Sequence, residues 1–365
     1  MPALGSHHLD TAHAGNPSRV VFSLNSGHAP PLPDGVPTQL LSMDPEDLLV
    51  WRSYDRRGFE RHARRAAGPE VPVSLAGRRV LVTGATQGIG HALAQGLAQR
   101  GAELELWCRD PERAERLRDE LLAAGAAAVD LCIADLGDLD AVRSEASRTK
   151  AGPLDAVLHN AGLLPLERAR TPQGFEVTYG VHLLGPLVLT EALLPRLRAR
   201  AGRVVFMTSG GAYTQRLQPG VLRDGVEARD GYDGVRSYAQ TKRGQIVVAD
   251  ALHRLLAPEV SAFSVHPGWV DTRAVRESLP GFHRRMGPYL RTPEQGADGA
   301  LWLSTAALGE EALARGGMWF DRRPVGQHPL PWTRVGRGTL RAFLQQCVED
   351  AGLQEGPLAS LPSVV

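Results

Sequence analysis

Cysteine is scarce: the 365-residue chain has three, Cys108, Cys132 and Cys347. An odd number at wide separations excludes a disulfide framework of the kind that staples small secreted domains, and no spacing suits zinc. No metal is expected. This usage fits a reducing compartment and a cytoplasmic protein. Surplus charge is also missing, because 41 Lys and Arg residues are balanced by 40 Asp and Glu. No overall field then favours nucleic acid or an anionic membrane, and neither is expected as a partner. Long hydrophobic runs are lacking too. No stretch of about 18 apolar residues suggests a transmembrane segment, and the opening MPALGSHHLDTAHAGNPSRV lacks the apolar centre of a secretory signal.

What is present divides into four parts. Residues 1–45, rich in Gly, Pro, Ser and His without a sustained period, read as a flexible leader. Over 46–76, Leu48, Leu49, Trp51, Tyr54 and Phe59 suffice for a short helical preface. The arginines from Arg52 to Arg65 are interleaved with acids there, which suits a solvated amphipathic helix better than a binding patch. No chemistry is assigned to it. From 77 to 345, short apolar runs alternate with longer helical segments, the pattern of a doubly wound parallel sheet. Strands are predicted at 78–84, 102–108, 127–135, 154–160, 202–209, 260–267 and 316–321. Helices are predicted near 88–100, 111–124, 138–150, 173–200, 237–257 and 292–306. Seven strands joined by right-handed crossovers make a single α/β domain of the Rossmann type. A closing helix and a polar, proline-containing tail, 346–365, end the chain.

Two local patterns carry chemistry. VLVTGATQGIG runs from the first strand through Gly84, Gly88 and Gly90 into an alanine-rich helix. Glycines there permit a tight turn and let backbone amides approach a pyrophosphate at the helix N-terminus. SYAQTKRGQ sets Tyr238 four residues before Lys242, one turn apart on a helix face. A phenol is a poor base near neutrality: its pKa of about 10 must fall by about 3 units. A neighbouring ammonium acts in that direction. Ser209, in MTSGG at the end of the fifth strand, supplies a hydroxyl for a substrate oxygen.

The loop spacing, Gly-x3-Gly-x-Gly, departs from the usual Gly-x-Gly-x2-Gly. TGATQGIG, ADL (134–136), NAG (160–162), Ser209, YAQTK (238–242) and HPGWVDT (266–272) follow one another over roughly 75–325. In that order they resemble the short-chain dehydrogenase/reductases. TSGGAY, YDRRGFERHAR and GMWFDRRP resemble, more narrowly, the subgroup called dehydrogenase/reductase SDR family member twelve. The resemblance implies an NAD(P)-dependent oxidoreductase that interconverts a carbonyl and an alcohol by hydride transfer. Tyr238 would be the acid/base, Lys242 would hold the nicotinamide ribose, and Ser209 would fix the substrate oxygen. It also assigns to the cofactor Thr83, Gly84, Gln87, Gly88, Ile89 and Gly90 from the first loop, and Asp135 at the adenine with Leu136. Asn160, Ala161 and Gly162 after the fourth strand follow, then Pro267, Gly268 and Thr272 at the nicotinamide carboxamide.

In such proteins an acid ending the second strand bonds the ribose 2′-hydroxyl, whereas a basic residue accepts a 2′-phosphate. LWCRDPER puts Cys108 in the acid's place and Arg109 after it, which favours NADP(H) over NAD(H). Asp110 keeps NAD(H) open, and so does the case in which Asp110 merely caps the next helix and Arg109 is solvated. Where many members carry an asparagine that serves a proton relay behind the lysine, YGVHLLG has His182. Either the imidazole substitutes in the relay, or it is a packed residue and the relay is lost or rerouted. Segments 210–236 and 273–292 are expected to wall a site for a moderately apolar small-molecule carbonyl or alcohol. Leu279, Phe282, Met286, Tyr289 and Leu290 would either line it or dock the segment. A homo-oligomer is compatible with the family. The alternative is a cofactor-binding sensor or scaffold, against which the joint retention of Ser209, Tyr238 and Lys242 argues.

Overall fold

The computed structural model describes residues 53–66, 68–149, 152–229 and 231–365. The leader, 1–45, and the start of the preface, 46–52, lie outside them. In chain order the elements are α1 (Arg56–Arg65), β1 (Arg79–Thr83), α2 (Gly88–Ala98), β2 (Glu103–Cys108), α3 (Pro111–Ala123) and β3 (Ala128–Ile133). Next come α4 (Leu139–Arg148), β4 (Ala156–His159), α5 (Val177–Arg198), β5 (Arg203–Met207), α6 (Gly234–Leu256) and β6 (Ser261–His266). The chain ends with α7 (Arg273–Ser278), α8 (Pro280–Met286), α9 (Pro293–Thr305), α10 (Glu310–Arg315), β7 (Met318–Phe320), β8 (Arg323–Val325) and α11 (Arg337–Asp350).

Strands such as β1, RVLVT, and β6, SAFSVH, are apolar along nearly their whole length because helices cover both faces of the sheet. The eight strands lie in the order β8-β7-β6-β5-β4-β1-β2-β3. Every pairing is parallel except β7 with β8. All seven expected strands are present. The eighth is an edge strand interrupted by Pro324, too short to show a period. It is reached by a two-residue turn in which Asp321 and Arg322 both take positive φ, 47° and 60°, the twist that suits a tight hairpin. Strand order reverses where β1 pairs with both β2 and β4, which leaves a crevice at the carboxyl ends of the strands.

One core lies under α5, α6 and α11, the other under α2, α3 and α9. Among the described helices α5 alone is long and apolar enough to cross a membrane by length and composition, yet 83% of its most apolar window is buried inside the protein. It is a core helix. Over Gly180–Leu184 it widens into a π-turn, a departure that the apolar pattern of the sequence does not signal. The segment 346–365 is no detached tail, since Cys347, Leu358 and Leu361 are fully buried in the first core.

The preface has more contacts than a solvated helix needs. His62 Nδ1 lies 2.6 Å from Asp321 Oδ2, and the buried Arg291 grips both oxygens of that carboxylate at 2.5 and 2.8 Å. Arg291 also donates to the Ser53 and Tyr54 carbonyls at 2.8 and 3.0 Å, while the Trp269 amide donates to Tyr54 O at 2.7 Å. The preface thereby braces the turn after β6, beside the crevice.

Candidate active site

A cleft of about 670 Å³ opens at the carboxyl ends of the strands. Its first wall is the β1–α2 loop. Gly84 and Gly88 have φ of +67° and +57°, and a Cβ on Gly90 would lie 2.3 Å from Gly84 O and 2.4 Å from Asn160 Nδ2. Only glycine fits there. Asn160 holds the loop in place by donating to Thr83 O at 3.1 Å and Gly84 O at 3.2 Å. Helix α2 begins at Gln87 without a side-chain cap, whereas Asp110, Asp138, Asp233, Thr272 and Thr292 cap α3, α4, α6, α7 and α9. Gly88, Ile89 and Gly90, its first residues, line the cleft. An uncapped helix start with its partial positive charge is an anion site. The cradle therefore fits the pyrophosphate of a dinucleotide.

At the end of β2, Cys108 is buried and its thiol is pushed up to about 11, so it stays neutral. Asp110 accepts the Arg113 amide at 3.0 Å as the α3 cap. Arg109 and Arg113 both line the cleft. Arg113 went unrecognised in the sequence, although it falls four residues after Arg109 in the first turn of a helix whose cap is legible. Asp135 and Leu136 line the same end, with Asp135 Oδ1 accepting the Gly137 amide at 2.8 Å.

Ser209, Tyr238 and Lys242 meet deeper in the cleft, alongside Gly162. The phenol is held above its ordinary pKa by burial, opposed by a hydrogen bond with Ser209. It is protonated at neutral pH, as a proton donor must be. Lys242 is 3% exposed, and burial pulls its ammonium down to about 7. Its Nζ donates to Met207 O at 2.8 Å and to Gln245 Oε1 at 3.1 Å, and it stands 5.6 Å from the centre of the Tyr238 ring.

Two residues from the sequence-derived site do not reach the cleft. Thr83 is fully buried, and its Oγ1 accepts the Asn160 and Ala161 amides, both at 3.0 Å, which joins β1 to the end of β4. It shapes the cradle from behind. His182 is also fully buried, with its ring edge-on to Tyr238 at 5.5 Å. Its Nε2 accepts the Leu163 amide at 3.1 Å, so Nδ1 carries the proton and faces Thr241 Oγ1 at 2.8 Å. Burial, and secondarily Lys242, hold it well below the usual histidine range. In this structure the ring is packed and neutral.

Pro267, Gly268 and Thr272, which the sequence resemblance assigns to the nicotinamide, also line the cleft. Gly268 has φ +79°, and a Cβ there would lie 2.2 Å from Arg291 Nε. The outer walls are apolar: Leu163 and Leu164 on one side, Val235 from the α6 start, and Trp269 edge-on to Phe282 at 5.3 Å beside Leu279. Met286, Tyr289 and Leu290 do not line the cleft. Leu290 is buried, and Tyr289 packs under the Arg57 guanidinium at 4.5 Å.

Comparison with known proteins agrees with this geometry. The short chain dehydrogenase family profile matches residues 78–219. The chain is 37% identical over 287 residues to dehydrogenase/reductase SDR family member 12 of Bos taurus, covering 78% of this chain and 89% of that protein. It is 34% identical over 238 residues to retinol dehydrogenase 11 of Homo sapiens, covering 63% of this chain and 73% of that protein. The crystal structure of a 3-oxoacyl (acyl-carrier-protein) reductase from Agrobacterium tumefaciens with NADP bound matches with a TM-score of 0.53 at 27% identity, covering 68% of this chain and 94% of that one. Sheet order, glycine cradle and relatives together establish that the chain belongs to the short-chain dehydrogenase/reductase family of NAD(P)-binding oxidoreductases.

Proposed function

We propose that this protein is an NADP(H)-dependent carbonyl reductase, able to run in reverse as an alcohol dehydrogenase, with an apolar small-molecule substrate and Tyr238 as its acid/base. The observation that carries this reading is the convergence of Ser209, Tyr238 and Lys242 in one cleft with the uncapped start of α2. The relatives named for retinol oxidation and for oxoacyl reduction support alcohol and carbonyl redox as the reaction class. Arg109 and Arg113 beside a neutral Cys108 support NADP(H), because guanidinium groups suit a phosphate and the residue that ends β2 is not an acid.

When bound, the nicotinamide supplies or accepts the hydride. The Ser209 hydroxyl orients the substrate oxygen, and Tyr238 gives it a proton as the phenol in reduction or takes one as the phenolate in oxidation. The Lys242 ammonium lowers the cost of the charge that develops on the phenolic oxygen. Leu163, Leu164, Trp269, Leu279 and Phe282 exclude water from the apolar part of the substrate. Fluorescence titration with NADPH and NADH, followed by turnover of a panel of aldehydes, ketones and secondary alcohols, tests the reading. Binding of neither dinucleotide sinks it, and binding without turnover of any panel member favours a scaffold.

A further inference from the structure

We propose that Gln245 is a positioning residue of this reaction: its side-chain amide holds the Lys242 ammonium in place and ties it to the π-turn of α5. The inference rests on the reading of Tyr238 and Lys242 as the acid/base pair. Gln245 lies one turn beyond Lys242 on α6 and is fully buried. Its Oε1 accepts from Lys242 Nζ at 3.1 Å, and its Nε2 donates to the His182 carbonyl at 3.0 Å, within the π-turn of α5. The amide can face only this way, because an ammonium only donates and a carbonyl only accepts.

The other groups behind the lysine are equally committed. The His182 imidazole takes the Leu163 amide on Nε2 and turns Nδ1–H to Thr241, whose hydroxyl donates to Tyr238 O at 2.9 Å. Protonating the ring would break the Leu163 bond. The titratable groups facing Lys242 are Tyr238 on its own helix and His182 on α5; β5 presents the Met207 carbonyl and the loop after β4 presents Gly162. Among the described residues no carboxylate acts on the ammonium, and burial alone pulls it down to about 7.

A neutral amide acceptor is suited to that setting. It favours the ammonium over the amine without cancelling the positive field at Tyr238, as a carboxylate would. The chain's use of basic residues points the same way. All but two of its 41 Lys and Arg residues are arginine, the exceptions being Lys150 and Lys242. Arginine cannot give up its proton in a protein, whereas a buried lysine can be tuned.

With two lysines, the Lys242 titration can be followed directly by NMR of the full chain labelled with ¹⁵N-lysine, a Lys150→Arg change assigning the signals. Gln245→Leu is expected to lower the Lys242 pKa by about one unit or more, the worth of a hydrogen bond to a charged group. Gln245→Glu is expected to raise it. In NADPH-dependent reduction of a small aromatic aldehyde, the alkaline limb of kcat should move down in pH for Leu and up for Glu. A merely structural role lowers the melting temperature of both variants and leaves Lys242 titrating as in the unaltered protein, which overturns the proposal. If the Leu variant does not fold, the near-isosteric Glu variant decides alone. A Tyr238→Phe protein that still reduces the aldehyde removes the reading beneath the proposal. An inactive Tyr238→Phe protein with an unmoved Lys242 titration overturns the role of Gln245 only.

Discussion

Asp110 accepts the backbone amide of Arg113 at 3.0 Å and faces its guanidinium at 3.4 Å, so the acid after β2 caps α3. Asp110, Arg109 and Arg113 all line that end of the cleft, where the two guanidinium groups suit a phosphate. Arg113→Ala is expected to weaken NADPH binding about 10- to 100-fold, the worth of a charge-assisted hydrogen bond, while NADH binding holds. Arg109→Asp should turn the preference toward NADH. Parallel fluorescence titrations of both cofactors read the ratio, and an unchanged ratio in both variants would remove the case for NADP(H).

Tyr238→Phe removes the phenolic proton in contact with Ser209 while keeping the ring that packs on His182. Turnover should fall about 10²- to 10⁴-fold, the usual worth of a positioned general acid. Cofactor affinity should stay the same, because the cradle at α2 does not involve the hydroxyl. Steady-state kinetics with a binding titration on the same preparation separates the two.

Gly90→Ala places a methyl group 2.3 Å from Gly84 O and 2.4 Å from Asn160 Nδ2, and the first of these is backbone. Overpacking of this kind costs about 1 to 3 kcal/mol, and relief would have to come from shifting the very loop that forms the anion site. Loss of cofactor binding with a lowered melting temperature is the expected outcome. Gly281→Ala, where a Cβ meets nothing within 4 Å, is the control and should change neither.

Much of this is legible in the sequence. Strands buried on both faces read as apolar runs, and residues such as Gly84, Tyr238 and Lys242 keep fixed spacings within single elements. What escaped comes from elements far apart in sequence. Gln245 matters through the His182 carbonyl, 63 residues away, and Arg291 through Ser53 and Tyr54, more than 230 residues away. No local period encodes such pairings. The π-turn escaped for a different reason: Gly180–Leu184 keeps an ordinary helical pattern of apolar residues, and the extra backbone residue shows only in the hydrogen bonds. In the last segment, Leu358 and Leu361 were hidden by the prolines around them, Pro357 and Pro362.

The Asp321 carboxylate is buried between Arg291 and His62, which hold it below the usual carboxylate range against the opposing pull of burial. Asp321→Ala leaves a guanidinium buried without its partner, an arrangement that costs about 3 to 5 kcal/mol. The preface should then loosen from the turn at Pro267 and Gly268, raising KM for the cofactor more than it lowers kcat. Urea unfolding and steady-state kinetics of the variant check both parts. Unchanged stability would mean that the brace contributes nothing to the fold.

Acid should destabilise the protein well above the pH at which carboxylates protonate. His159 and His266 are fully buried, and burial lowers both to about 3, with Arg291 adding to the shift at His266. In the unfolded chain each ring takes up a proton below about 6.5, whereas in the folded chain it does not do so until about 3. Protons therefore bind preferentially to the unfolded state between those values, so stability is complete above 6.5, falls as the pH drops through that point, and levels off near 3. From pH 7 to pH 5 each ring removes roughly 2 kcal/mol. His182, also buried and neutral, acts in the same direction. Lys242 is separable, since a lysine lowered from 10.5 to about 7 has its slope above pH 7. Urea unfolding at pH 5, 6 and 7 should show the slope, and His159→Gln should flatten it by one ring's share whatever it does to the stability at pH 7. A stability that is level from pH 7 to pH 5 would mean that these rings take up protons while folded, and so that the strand ends bearing them open to water.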